Sequence, residues 1–83
     1  MKYQMVCIRD RIADVYGVPS FVHSIGSAIR GFGDEINRAA ENNALYQHPD
    51  DFDLFVVGTY DDQTCEFESH VPRQIAVGRD LKK

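Results

Sequence analysis

The spacing of Ile25, Ala28, Ile29, Phe32, Ile36, Ala39 and Ala40 limits the fold more than anything else in these 83 residues. They recur at intervals of three and four, which puts them in one stripe of an amphipathic helix over residues 24–42. Ser24 is suited to the N-cap, since its hydroxyl can accept a free backbone N–H. Asp34 precedes Arg38 by four residues, the favourable order for a helical ion pair. Gly26 and Gly33 flank the stripe, where small residues let the helix sit close to a sheet or to a second chain. Asn42-Asn43 is a reasonable stop.

Strand formers lie on both sides of this helix. In residues 3–9, Tyr3, Met5 and Cys7 take one face at period two, and Val6 and Ile8 take the other. Apolar residues on both faces predict an interior strand. Residues 12–22 read as a second strand. Gly17 and Pro19 interrupt it, so it is bent, bulged or at an edge. His48-Pro49-Asp50-Asp51 reads as a turn or a single helical turn, with Pro49 at its first position. Phe52–Tyr60 is a third strand centred on Leu54, Phe55, Val56 and Val57. Asp61-Asp62-Gln63-Thr64 is a hairpin turn without the usual glycine, and Cys65–Ser69 is a fourth strand. Cys65 and Phe67 face one way and Glu66 and Glu68 the other, leaving one face wet. Pro72 is expected to end that strand. Beyond it come a short extended segment at Ile75-Ala76-Val77 and a frayed basic tail over about residues 73–83.

The order β-β-α-β-β predicts an α+β fold in one small domain, residues 1–83, with a four-stranded antiparallel sheet and one helix packed on one face. A chain this short buries only about 60–65% of its unfolded surface. Its own core is therefore limited, and open sheet edges invite a second copy. A homodimer is expected, with the edge away from Gly17 and Pro19 as the favoured contact.

Net charge is −4, unevenly spread. Residues 1–38 carry +1, residues 39–69 carry −8 with no Lys or Arg, and residues 70–83 carry +3. A strong nucleic-acid binder is usually basic, so any such binding here must use a local patch. No apolar run of about 18 residues exists, which predicts no membrane span. Met1–Asp10 lacks a signal-peptide pattern. Cys7 and Cys65 cannot form a disulfide framework; their place among alternating strand residues predicts buried, reduced thiols in a cytosol-like compartment.

Catalytic signatures are missing. Gly31-Phe32-Gly33 lies inside the helix rather than after a strand, so it is not a dinucleotide fingerprint. The acids from Asp50 to Asp62 lack EF-hand spacing. The serines occur in no Gly-x-Ser-x-Gly context, and neither cysteine has a paired histidine. No metal and no cofactor are expected. Aromatic residues interleaved with basic ones suit single-stranded nucleic acid, where rings stack on bases and cations meet phosphates. Tyr3, Arg9, Arg11, Tyr16 and Phe21 in the first hairpin have that composition.

The sequence also resembles a known family, the small nonstructural protein of gokushoviruses, which are single-stranded DNA phages of the Microviridae. The matching stretches are Met1-Lys2-Tyr3 with Ile8-Arg9-Asp10, Pro19-Ser20-Phe21-Val22, and Ala28 to Asn37 (Ala-Ile-Arg-Gly-Phe-Gly-Asp-Glu-Ile-Asn). The most specific runs from His48 to Asp62 (His-Pro-Asp-Asp-Phe-Asp-Leu-Phe-Val-Val-Gly-Thr-Tyr-Asp-Asp). Pro72 and Gly78 fit the family's tail. The similarity covers almost the whole chain in order. One departure stands out: the family's turn reads Asp-Asp-x-Thr-Gly, and here Thr64 is followed by Cys65.

The resemblance implies a protein made in the cytoplasm of the infected bacterium and left out of the virion. It further implies a part in viral DNA replication, in particular production of single-stranded genomes. The expected role is a non-enzymatic accessory factor that binds single-stranded DNA or a host or viral replication protein. The candidate contacts are Arg9, Arg11, Arg30 and Arg38 with Arg73, Arg79, Lys82 and Lys83 of the tail. The alternative is an interaction module that meets a host or viral protein through its acidic face and never touches DNA.

Overall fold

A computed structural model describes all 83 residues. The chain runs through β1 (Lys2–Asp10), β2 (Val15–Tyr16), β3 (Ser20–Val22), α1 (Ile25–Ile36), α2 (Ala44–Gln47), a 3₁₀ turn (Pro49–Asp51), β4 (Phe52–Asp61), β5 (Glu66–Val77) and α3 (Gly78–Leu81). The fold is α+β with an entirely antiparallel sheet ordered β2-β1-β4-β5, and β3 pairs β1 beside β2. The expected second strand is thus two short pieces, giving five strands rather than four. Gly17 and Pro19 interrupt it, although Gly17 still donates to the Ile8 carbonyl at 2.8 Å.

β1 is interior, as its two apolar faces predict. Val6 and Ile8, with Phe52, Leu54 and Val56 of β4, meet Ala28, Phe32 and Ile36 of α1. Val22, Ile29, Leu45, Ile75, Ala76 and Leu81 pack around this cluster. Ser24 caps α1, its Oγ accepting from the Ser27 N–H at 3.1 Å.

The helix ends at Ile36, six residues short of the expected stop. Asn37 ends it. Its Nδ2 donates to the Gly33 carbonyl at 2.8 Å and to the Leu81 carbonyl at 3.0 Å, taking up backbone acceptors at the helix end. Its Oδ1 accepts from the Lys83 N–H at 2.8 Å, so one side chain ties α1 to the C-terminal segment. Asn43, 4% exposed, donates to the Glu35 and Arg38 carbonyls and caps α2 through the Leu45 N–H. Ala39 and Ala40 therefore lie outside the helical stripe. Arg38, now past the helix end, pairs with Glu35 at 2.6 Å and not with Asp34.

β5 passes through Pro72 and reaches Val77. Its register with β4 jumps from Gly58↔Ser69 to Val56↔Arg73, so His70, Val71 and Pro72 oppose Val57 alone. The proline sits in this bulge, where its missing N–H breaks no regular ladder. The outer edge of β5 therefore carries a bulge, a proline, Glu66 and Glu68, all of which discourage pairing with another chain. The tail is ordered: α3 follows β5 directly. Gly78 is required there, because an added Cβ would overlap the Pro49 and Phe52 carbonyl oxygens and Ile36 Cδ1.

Candidate functional site

The helices cover one face of the sheet. On the other face β1 presents Tyr3, Met5, Cys7 and Arg9, and β4 presents Asp53, Phe55 and Tyr60, by the alternation of each strand. Register brings Phe21 beside Met5, Tyr16 beside Arg9 and Phe67 beside Tyr60. The rings meet there. Tyr60 lies 4.7 Å from Phe67 and 5.4 Å from Phe21, centroid to centroid, and Phe21 lies 6.2 Å from Phe67. Tyr3 stands between His23 at 4.9 Å and Tyr60 at 6.2 Å. Tyr16 meets Phe55 edge-on at 5.4 Å.

Met5, Cys7 and Phe55 are buried on this face, whereas three of the rings remain open to solvent. Phe67 is 59% exposed, Phe21 49% and Tyr16 46%. Gly58 keeps the middle of the face flat. A Cβ there would overlap the Glu68 carbonyl oxygen and Met5 Cε. Burial pushes the Cys7 thiol pKa up. Contact with Cys65 pushes the Tyr60 hydroxyl pKa up.

The candidate cations do not form one patch. Arg9 and Arg11 reach the open face, Arg9 pairing with Asp14 and Arg11 standing 3.4 Å from Asp53. Arg30 lies on α1 and Arg73 opposes Val56 on the helix side of β5. Arg38 is held by Glu35, and Arg79 stands 3.8 Å from Asp80. Lys82 Nζ sits 3.6 Å from the centroid of the Tyr46 ring. Arg30 and Lys83 line a shallow cavity of about 330 Å³ between α1 and α3, together with Asp34, Ile29 and Leu81. Only Arg9 and Arg11 stand beside the exposed rings.

Between those two arginines lies Asp53, read from the sequence as one of the solvated turn acids but only 4% exposed within β4. Its Oδ1 has no hydrogen-bond partner, and neither has the buried Nε of Arg9 directly across the strand pair. An unmet buried polar group costs about 1–3 kcal/mol. The signal for Asp53 is a charge within an otherwise apolar strand, but the neighbouring acids of the turn mask it. Phe67 was expected on a dry face, and instead both faces of β5 are wet over residues 66–74.

Cys65 is not in the core. It is exposed in the turn after β4, with φ +59°. The acids of residues 39–69 are dispersed, with Asp61, Asp62, Glu66 and Glu68 gathered at the β4–β5 turn. No group of three or more His, Cys, Asp or Glu side chains is placed to hold a metal ion. No helix is long and apolar enough to cross a membrane.

The geometry defines a small α+β protein with helices on one sheet face and exposed aromatic rings on the other. The sequence matches the family model described as phage ORF5 protein over residues 3–81, and the chain belongs to that family. It is thus a phage protein, as the resemblance implied. No curated protein and no solved structure matches it.

Proposed function

We propose that the chain is a non-enzymatic accessory protein of a gokushovirus-type phage, binding single-stranded DNA on its open sheet face while genomes are made. Three half-exposed rings on one helix-free face, Tyr16, Phe21 and Phe67, carry this reading. Unpaired bases stack on such rings, and Arg9 and Arg11 at one end supply phosphate contacts. The work is done in the cytoplasm of the infected bacterium, and the protein stays out of the virion. Duplex DNA hides its base faces and gains nothing from the rings.

Fluorescence anisotropy with a labelled ten-residue oligo-dT at low salt is the test. Binding should weaken as salt rises, with a log–log slope of about −1.4 for two phosphates on a single strand. No affinity at low salt sinks the reading.

A second reading is supported by the acids at the β4–β5 turn: docking on a basic surface of a host or viral replication protein, without DNA. Recovery of one stoichiometric protein after nuclease treatment of an infected-cell pull-down favours it. A dimer fits either reading. The guarded β5 edge leaves the outer side of α1 near Gly26, where an added Cβ would meet nothing within 4 Å.

A further inference from the structure

Stacking on Tyr16, Phe21 and Phe67 scarcely distinguishes one base from another, because every base has a π-face. Asp53 can make the distinction. It shares their sheet face, buried, with Oδ1 unpartnered. Its Oδ2 stands 3.4 Å from Arg11 Nε, longer than a good N–H···O bond. Arg9 is its cross-strand neighbour and holds a buried donor, Nε, also without a partner. Two carboxylate acceptors with spare capacity thus lie beside a spare guanidinium donor. The Tyr16 ring is at hand, its centroid 5.6 Å from Arg9 Cζ.

A carboxylate on a DNA-binding face repels phosphates, and it penalises any base that offers it no donor. Guanine alone presents two adjacent donors, N1–H and the N2 amine, next to an acceptor, O6. Adenine and cytosine present one donor beside a ring-nitrogen acceptor, and thymine one donor between two carbonyls. Resting on the single-strand reading above, we infer that Asp53 and Arg9 make this face select guanine, with Asp53 accepting from N1–H and N2–H and Arg9 donating to O6 while the base stacks on Tyr16. Admitting the base requires Arg9 to turn. Its outer end is held by Asp14, whose side chain is 79% exposed in the β1–β2 loop, while its buried Nε must leave its place beside Asp53 to meet the base.

The test measures anisotropy with three ten-residue probes: all dT, dT with one central dG, and dT with one central deoxyinosine, which lacks the N2 amine. The wild type should bind the dG probe at least about fivefold tighter than all-dT, the lower end for a good bidentate base contact. Deoxyinosine should lose most of that gain. Asp53→Asn should erase the preference for dG over all-dT, read as the ratio of the two affinities. Equal affinity of the wild type for all three probes overturns the selection and leaves the stacking platform standing. No binding to any probe removes both. The inosine comparison uses the wild type alone, so it decides the matter even if Asp53→Asn fails to fold.

Discussion

Cys65 donates its backbone N–H to the Asp61 carbonyl at 2.8 Å while holding φ at +59°, a left-handed conformation that closes the β4–β5 turn. Glycine, which the resemblance places at this position, takes such a φ without a steric penalty. A side chain at such a φ costs roughly 1–2 kcal/mol, partly offset because glycine loses more backbone freedom on folding. Cys65→Gly should therefore raise stability by about 0.5–1 kcal/mol in urea unfolding. A loss of stability would show that the Cys65 side chain, through its contact with Tyr60, contributes more than the strain removes.

The two thiols should behave in opposite ways. Cys65 is exposed and should label with a thiol reagent in the native protein. Cys7 is buried, its pKa raised, and should label only after denaturation. Fast native labelling of both residues would contradict the burial of Cys7.

Phe32 is 4% exposed at the centre of the contact between α1 and the sheet. Phe32→Ala should destabilise by about 3–5 kcal/mol, the range for truncating a buried Phe. A loss under about 1 kcal/mol would contradict the assigned helix face.

Phe67, by contrast, supports little of the core. Phe67→Ala should leave thermal unfolding nearly unchanged yet weaken oligo-dT binding by about 1–3 kcal/mol, the range for one base–aromatic stack. Full binding by this variant would remove Phe67 from the platform.

The hydrogen bonds from Arg38 hold the Glu35 carboxyl pKa below the usual glutamate value. A depressed folded pKa contributes stability above the unfolded value, lost as pH falls through the folded one. Both side chains are well exposed, so solvent screens the pair and the contribution is small. Arg38→Ala should return the Glu35 pKa to its ordinary range, read by NMR titration, with little change in stability at neutral pH. An unmoved Glu35 would mean the ion pair is not populated in solution.

Local chemistry was legible in the sequence wherever one residue's neighbours along the chain decide its state. The α1 stripe, the Ser24 cap, the Pro49 turn and the two-faced β1 all follow from periodicity or from a single side chain acting within a few residues. Ala39 and Ala40 continue the same period, yet the helix stops before them. Asn37 finds the Leu81 carbonyl and the Lys83 N–H across the fold, and no local rule can include partners 44 and 46 residues away.

The candidate site divides in the same way. Tyr16, Phe21, Arg9 and Arg11 could be picked out as neighbouring rings and cations of one hairpin. That Phe67 joins them, that Asp53 lies buried between the arginines, and that Arg30, Arg38 and the basic tail fall elsewhere were decided by strand register. Pairing Arg9 with Asp53 and Tyr60 with Phe67 is a long-range choice, set by which apolar face α1 covers and by the bulges at Val57 and at His70–Pro72. A strand's period of two says which residues share a face. Only the packed sheet decides which face stays open, because burying Val6, Leu54 and Val56 under Phe32 and Ile36 turns the rings outward.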